Sequence, residues 1–263
     1  MTDYLDFVAD FTKPDVVDVY DELPLWSATF GLLLLEHVPL RANTIALDVG
    51  CGTGFPLLEL AQRLGPGSVV HGLDPWELGL ARARQKASLR QIENVVFHSG
   101  SAASMPFDDA TFDLVVSNLG LNNFDDPNAC IAECRRVMKR GATLALTTNL
   151  VGHMREFYDV FATIDGVDRD ALHEHIEHRA TIAKVRELLH EFEIVKVIED
   201  SVAMRFANGT ALLNHYFIKL GFLDAWKSVV PAAEQRRVFA ELEQRLDREL
   251  CLTIPRAYIE AVL

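Results

Sequence analysis

The sequence predicts an α/β protein: a doubly wound, mostly parallel seven-stranded sheet with a helical cap inserted between the last two strands. Three observations carry this expectation. Between residues 44 and 148, five short apolar, β-branched runs alternate with helical patterns. The first run ends in a cluster of glycines. Beyond residue 149 the rhythm changes to helices, an extended stretch, more helices and a final extended stretch. Strands alternating with helices imply right-handed crossovers and a parallel sheet covered on both faces.

Taken in order, residues 15–40 read as helical and run into the apolar stretch Leu32–Leu35. Residues 44–49 form a first strand, followed by a helix over 57–64 that Gly65-Pro66-Gly67 stops. Residues 68–74 are a second strand and 77–89 a helix, with a third strand over 94–98 and a fourth over 112–117. A helix over 128–139 turns at Lys139-Arg140-Gly141 into a fifth strand, 142–148. Helices are then expected over 153–164 and 169–191, and an extended stretch over 193–206. More helices follow over 209–220, 223–229 and 232–250, the last with Val238, Phe239, Leu242, Leu246 and Leu250 on one face, before a terminal strand over 254–263. No linker-like tract separates the halves. The expectation is one domain: an N-terminal cover (1–43), a core (44–150), a connecting region (151–207), a helical insertion (208–250) and a terminal strand (251–263).

Composition narrows the function. Hydrophobic residues are 49% and charged residues 24% of the 263, which argues against global disorder. The 25 basic and 38 acidic residues leave a formal charge of −13. Such a balance repels phosphate backbones and anionic membrane surfaces, so neither nucleic acid nor membrane is an expected partner. The start lacks the basic and apolar regions of a signal peptide, and no apolar run approaches the about 20 residues of a membrane span. Four scattered cysteines without a Cys-x-x-Cys pair suggest reduced thiols in a cytoplasmic protein. The composition leaves the oligomeric state open.

The informative segment is the glycine loop after the first strand, where open α/β sheets bind ligands. Gly50, Gly52 and Gly54 are spaced Gly-x-Gly-x-Gly around Cys51 and Thr53. This is neither the Gly-x-Gly-x-x-Gly of dinucleotide enzymes nor a phosphate loop ending in Gly-Lys-Ser/Thr. Asp48, just before it, is badly placed beside a pyrophosphate but suits a cationic amine. Asp74, followed by Pro75, ends the second strand, where an acid can accept from both ribose hydroxyls of an adenosine. An adenosine with a positively charged amino-acid tail is S-adenosylmethionine.

With LDVGCGTG at 47–54, GLDPW at 72–76 and MPFDDATFDLVVSN at 105–118, the chain resembles the class I S-adenosylmethionine-dependent methyltransferases, particularly their small-molecule group. The resemblance covers about residues 44–148 and implies a Rossmann-like fold and S-adenosylmethionine as cofactor. It assigns the methionine portion to Asp48, Gly50, Cys51, Gly52 and Gly54, and the ribose to Asp74. It places Ser101 and Ala102 beside the adenine, and Asn118 and Leu119 against the methionine tail on the side facing substrate. Two positions depart from the family pattern. Ser101 stands where many relatives carry an adenine-binding aspartate, and Asn122-Asn123 where many carry a His-His pair. Neutral amides cannot act as a general base near pH 7.

Candidates for an acceptor pocket are Tyr20, Trp26, Asn122, His153, His215 and Tyr216, each of which also fits simple packing in core or cap. The run His173-Glu174-His175-Ile176-Glu177-His178 is not His-Glu-x-x-His and reads as a solvated helix face, so no metal is expected. Methyl transfer needs alignment and exclusion of water more than a fixed catalytic residue, and no catalytic residue is assigned. The expected activity is methylation of a small, partly apolar molecule. Carboxyl methylation of an acyl group on a carrier protein is one alternative, with Arg155, Arg179, Lys184 and Arg186 as candidates for the basic patch it needs. A binding module that has lost catalysis is the other.

Overall fold

The structure is a computed structural model and describes residues 3–21 and 26–263. Its strands are β1 (Ile45–Val49), β2 (Val69–Asp74), β3 (Val95–Ser99), β4 (Phe112–Asn118), β5 (Met138–Asn149), β6 (Glu193–Phe206) and β7 (Leu250–Val262). They form one sheet in the order β3-β2-β1-β4-β5-β7-β6. Pairings from β3 through β5 are parallel, and β7 runs antiparallel to β5. The mostly parallel seven-stranded sheet is therefore present, with the helical insertion between β6 and β7.

Strand order positions the site. The chain leaves β1 toward β2 on one side, and β4 pairs with β1 on the other, so a crevice opens at the carboxyl ends of β1 and β4. The register aligns Asp48 with Gly72, Asp74 with Ser99, and Asn118 with Thr147, which brings the strand ends to one edge.

Two compact units make up the chain. A sheet unit comprises residues 12–149, 180–200 and 256–263, and a helical unit comprises 1–11, 150–179 and 201–255. In the sheet unit, helix α3 (Leu57–Leu64) buries Leu57, Leu60, Ala61 and Leu64 in a core with Ala46, Val70, Leu114 and Val116. Helix α2 (Ser27–His37) adds Leu33, Leu34 and Leu35 to it. The helical unit has an aromatic core. Phe157 of α6 (Arg155–Phe161) stacks on Trp226 of α11 (Leu223–Ser228) at 4.1 Å between ring centroids.

Several expected boundaries are corrected. The single N-terminal helix is two, α1 (Pro14–Asp21) and α2, with residues 22–25 outside the described set. The expected helix over 169–191 is also two, because Asp168 caps α7 (Arg169–Glu177) and Thr181 caps α8 (Ile182–Leu188) with a bond from the Lys184 amide. The helix expected to reach Lys139 ends at Val137, and β5 starts at Met138, four residues early. A register shift between Phe112 and Leu114 absorbs the extra residues, and Lys139 pairs with Asp113 at 2.8 Å. In the insertion, the helix expected over 209–220 divides into α9 (Gly209–Asn214) and α10 (Tyr216–Gly221). The last helix, α12, covers Gln235–Arg245, and Leu250 opens β7 rather than closing that helix.

Leu47 is fully buried in β1, next to the center of the sheet. Leu47→Ala should cost about 2–5 kcal/mol through lost burial and a residual cavity, read from urea unfolding followed by circular dichroism. Unchanged stability would contradict the central placement of β1.

Candidate cofactor site and acceptor residues

The loop leaving β1 is shaped by its own amides. Gly50 and Cys51 donate to the Leu73 carbonyl at 2.8 and 3.2 Å, and Gly54 donates to the Cys51 carbonyl at 2.8 Å. Asp74 fastens the loop to the next turn: its Oδ2 accepts from the Gly52 amide and its Oδ1 from the Trp76 amide, both at 2.8 Å. Each carboxylate oxygen has two acceptor positions, so Asp74 retains capacity for hydroxyl donors. Burial holds its pKa above the ordinary value, against the pull of the two amides.

Two glycines of the loop do different work. A Cβ on Gly54, at φ +97°, would lie 3.0 Å from the Ala83 side chain and 3.3 Å from Leu58, so this glycine lets helices pack. A Cβ on Gly52, at φ +50°, would meet nothing within 4 Å. That is open space beside the backbone, the cradle a bound tail requires.

Asp48 is 0% exposed, and neither of its oxygens has a hydrogen-bond partner among the described residues. Burial pushes its pKa up to about 8, and the Asp74 charge adds to this. The Leu57 amide pulls the other way without closing a hydrogen bond of normal geometry. A buried carboxyl without a partner fits a ligand that brings a cationic amine. Cys51 is buried, and burial, aided by the Asp74 charge, keeps its thiol protonated, which excludes it as a nucleophile.

Across the crevice, Asn118 accepts from the Thr147 hydroxyl at 2.7 Å and donates to the Ser27 carbonyl at 3.2 Å. The start of α2, beside Trp26, is thereby tied to the end of β4. Leu119 is buried at φ +65°, its amide bonded to the Thr147 carbonyl at 3.0 Å. Asn122 donates to the Thr148 hydroxyl (2.6 Å) and to Asn149 Oδ1, so its amide is committed to the end of β5. Ser101 uses its hydroxyl to accept from the Ala103 amide at 3.2 Å, closing the turn that holds Ala102, and Pro75 lies exposed after Asp74.

Tyr20 is brought to this edge. Its ring meets Trp76 edge-on at 5.5 Å, and its pKa is raised by burial and by the charges of Asp74 and Asp21. Trp26 lies against Phe30 at 5.5 Å. The other three acceptor candidates belong to the helical unit. His153 is fully buried against Tyr158, His215 lies edge-on to Phe206, and Tyr216 edge-on to Phe7.

Comparison with known proteins places this geometry. A methyltransferase-domain family model matches residues 40–199, more than half of the chain. The chain belongs to the class I S-adenosylmethionine-dependent methyltransferases. Among curated relatives, a demethylmenaquinone methyltransferase from Geobacillus sp. (strain WCH70) is 38% identical over 134 residues, covering 49% of this chain and 57% of the relative. The chain thus spans little more than half the length of that relative. Among solved structures, a SAM dependent methyltransferase from Aquifex aeolicus shares the fold with a TM-score of 0.55 at 20% identity, covering 71% of this chain and 92% of that one. The [4+2]-cyclase SpnF also shares it, with a TM-score of 0.58 at 20% identity over 89% of this chain and 79% of that one.

Some residues of this methyltransferase edge escape the sequence. Asp21 accepts from Arg82 at 2.9 Å and pairs with Lys86, holding the end of α1, and with it Tyr20, on helix α4 (Glu77–Leu89). Phe55 fills the space a Cβ on Gly31 would need, which seats α2 on the glycine loop. Neither pairing leaves a local signal. The run 173–178 is also only partly solvated, because His175 turns inward to the Tyr158 hydroxyl at 3.1 Å.

A raised carboxyl pKa gives Asp48 a defined linkage. The folded state holds its proton up to about pH 8, whereas the unfolded state releases it near the ordinary carboxyl value of 3.8. Its contribution is therefore present in acid and is lost as pH rises between those values, by at most about 1.4 kcal/mol per pH unit. Asp48→Asn should remove this term, so the ligand-free variant gains stability relative to the parent from pH 5 to pH 7 in urea unfolding. Parallel pH profiles for the two proteins would contradict the buried, neutral carboxyl.

Proposed function

We propose that the protein is an S-adenosylmethionine-dependent methyltransferase acting on a small, partly apolar molecule. The observation that carries this reading is Asp48, a buried carboxyl with no hydrogen-bond partner among the described residues, two positions before a glycine loop whose Gly52 borders open space. In this reading Asp48 meets the cofactor's amine, the loop from Gly50 through Gly54 lies along its methionine portion, and Asp74 accepts from the ribose hydroxyls. Pro75 borders the ribose, Ser101 and Ala102 flank the adenine, and Asn118 and Leu119 face the tail. When bound, the cofactor supplies an activated methyl group with its leaving group built in.

The chain's own task is then alignment and exclusion of water. Asn122 orders the end of β5 and carries no proton-accepting role, since its amide is neutral and committed to Thr148 and Asn149. Tyr20 and Trp26 are the sheet unit's candidates for contact with the acceptor. Acceptor choice is assigned to residues 1–43 and 208–250, which lie almost entirely outside the family match. His215 and Tyr216 are the helical unit's candidates from these segments, and His153, inside the family match, is a further one. The demethylmenaquinone methyltransferase relatives support a small-molecule acceptor.

A carrier-protein acceptor is less well supported, because Arg155 pairs with Glu156 and Arg179 is drawn inside. The charge of −13 weighs against nucleic acid. No helix among the described residues is long and apolar enough to cross a membrane, and a cytoplasmic location is part of the proposal.

Calorimetric titration with S-adenosylhomocysteine tests the cofactor assignment. Gly52→Val should lose binding by at least about tenfold while keeping its circular dichroism, because the branched side chain fills the open cradle. Gly54→Ala should instead lower the melting temperature, since its Cβ runs into Ala83 and Leu58. Full binding by a folded Gly52→Val would contradict the proposal.

A further inference from the structure

The helical unit contains a cluster of polar side chains that no step above uses. Tyr158 is its hub. The Tyr158 hydroxyl accepts from Trp226 Nε1 at 3.1 Å, and its own proton faces His175 Nε2 at 3.1 Å and His153 Nε2 at 3.5 Å. Phe222 lies against His153, with ring centroids 6.3 Å apart. Arg179, just beyond α7, is felt electrostatically by His153, Tyr158 and His175 alike. Its Nε is buried and has no hydrogen-bond partner among the described residues.

A guanidinium is always charged, and burying it unpaired opposes folding. This chain has 38 acidic residues, yet among the described residues the group that acts on Arg179 is the Tyr158 phenol, which burial keeps neutral, and not a carboxylate. The two imidazoles add no charge of their own. Burial and the Arg179 charge hold His153 down to about 3 and lower His175 as well. One positive charge therefore acts on a neutral cluster in which the Tyr158 hydroxyl is satisfied by Trp226, His175 and His153. That arrangement is matched to an anionic oxygen on an apolar body, the partner that gives an arginine its strongest hydrogen bonds.

We infer that Arg179, backed by His153, Tyr158 and His175, forms an anion site within the helical unit for a small molecule that carries an acidic oxygen, a carboxylate or an acidic phenol or enol, on an apolar body. Calling that ligand the methyl acceptor rests on the methyltransferase reading; the anion site itself does not.

The full-length protein is titrated calorimetrically with benzoate, with benzamide as its neutral counterpart, and with 4-nitrophenolate. The expected result is at least about tenfold tighter binding of one or both anions than of benzamide. Preference for benzoate identifies a carboxylate as the source of the oxygen, and preference for 4-nitrophenolate an acidic phenol. Arg179→Gln should abolish that preference with an unchanged or raised melting temperature, and Arg179→Lys, which keeps the charge but loses the planar fork, should fall between. Equal binding of benzamide and both anions, no binding of either anion, or undiminished anion binding by Arg179→Gln would overturn the site. S-adenosylhomocysteine is titrated into the same samples. Loss of that binding with anion preference intact would sink the methyltransferase reading and leave the anion site standing.

Discussion

The site depends on a carboxyl that cannot be satisfied by its own protein. Asp48 lies next to the end of the buried strand β1, with no partner for either oxygen among the described residues. An ionized carboxylate there would cost several kcal/mol, so the group takes up a proton and waits as a neutral acid. The rest of the edge is arranged around that fact. Asp74 grips the amides of Gly52 and Trp76, which fixes the loop and leaves the space beside Gly52 open. Asn118 and Asn122 spend their amides on Thr147, Thr148 and Asn149, so the opposite wall is rigid. Rigid walls around an unsatisfied acid give a ligand with a positive amine most of its alignment without further reorganization.

Opposite charges are treated alike in the two units. Among the described residues, the sheet unit holds a buried carboxyl, Asp48, with no hydrogen-bond partner, and the helical unit an arginine, Arg179, whose buried Nε has none. Elsewhere, exposed and half-exposed charges pair freely: Arg256 with Asp200, Arg136 with Glu133, Arg236 with Asp6. Such surface pairs contribute little to stability. Asp48 and Arg179 lie where desolvation makes an uncompensated charge expensive, and there a ligand of opposite sign returns the most free energy. Stability forgone at these points is binding energy held in reserve.

Much of this was legible in the sequence because it is local. The β-branched runs, the Gly65-Pro66-Gly67 stop, and the spacing of Asp48, the glycines and Asp74 depend on neighbors within one βαβ unit. The helix over 77–89 and the extended stretch over 193–206 keep the expected bounds for the same reason. Boundaries failed where a cap or a register shift overrides periodicity, as at Thr181 within an apparently continuous helix and at Met138 opposite Phe112. The Asp21 contacts with Arg82 and Lys86 span 61 and 65 residues, and the Tyr158–Trp226 bond spans 68. No periodicity encodes such pairings. His175 reads as solvated because it stands in the charged run with His173, Glu174, Glu177 and His178, which are exposed, and one inward residue in such a run leaves no compositional trace.

The central claim is that Asp48 gives up its proton to meet a cationic amine. The most direct measurement is the calorimetric heat of S-adenosylhomocysteine binding at about pH 6.5 in buffers of different ionization enthalpy. Binding should release about one proton in the parent protein and none in Asp48→Asn, because the carboxyl is protonated when free and ionized beside the amine. Binding heats that do not vary with buffer in the parent protein, or proton uptake on binding, would contradict the account.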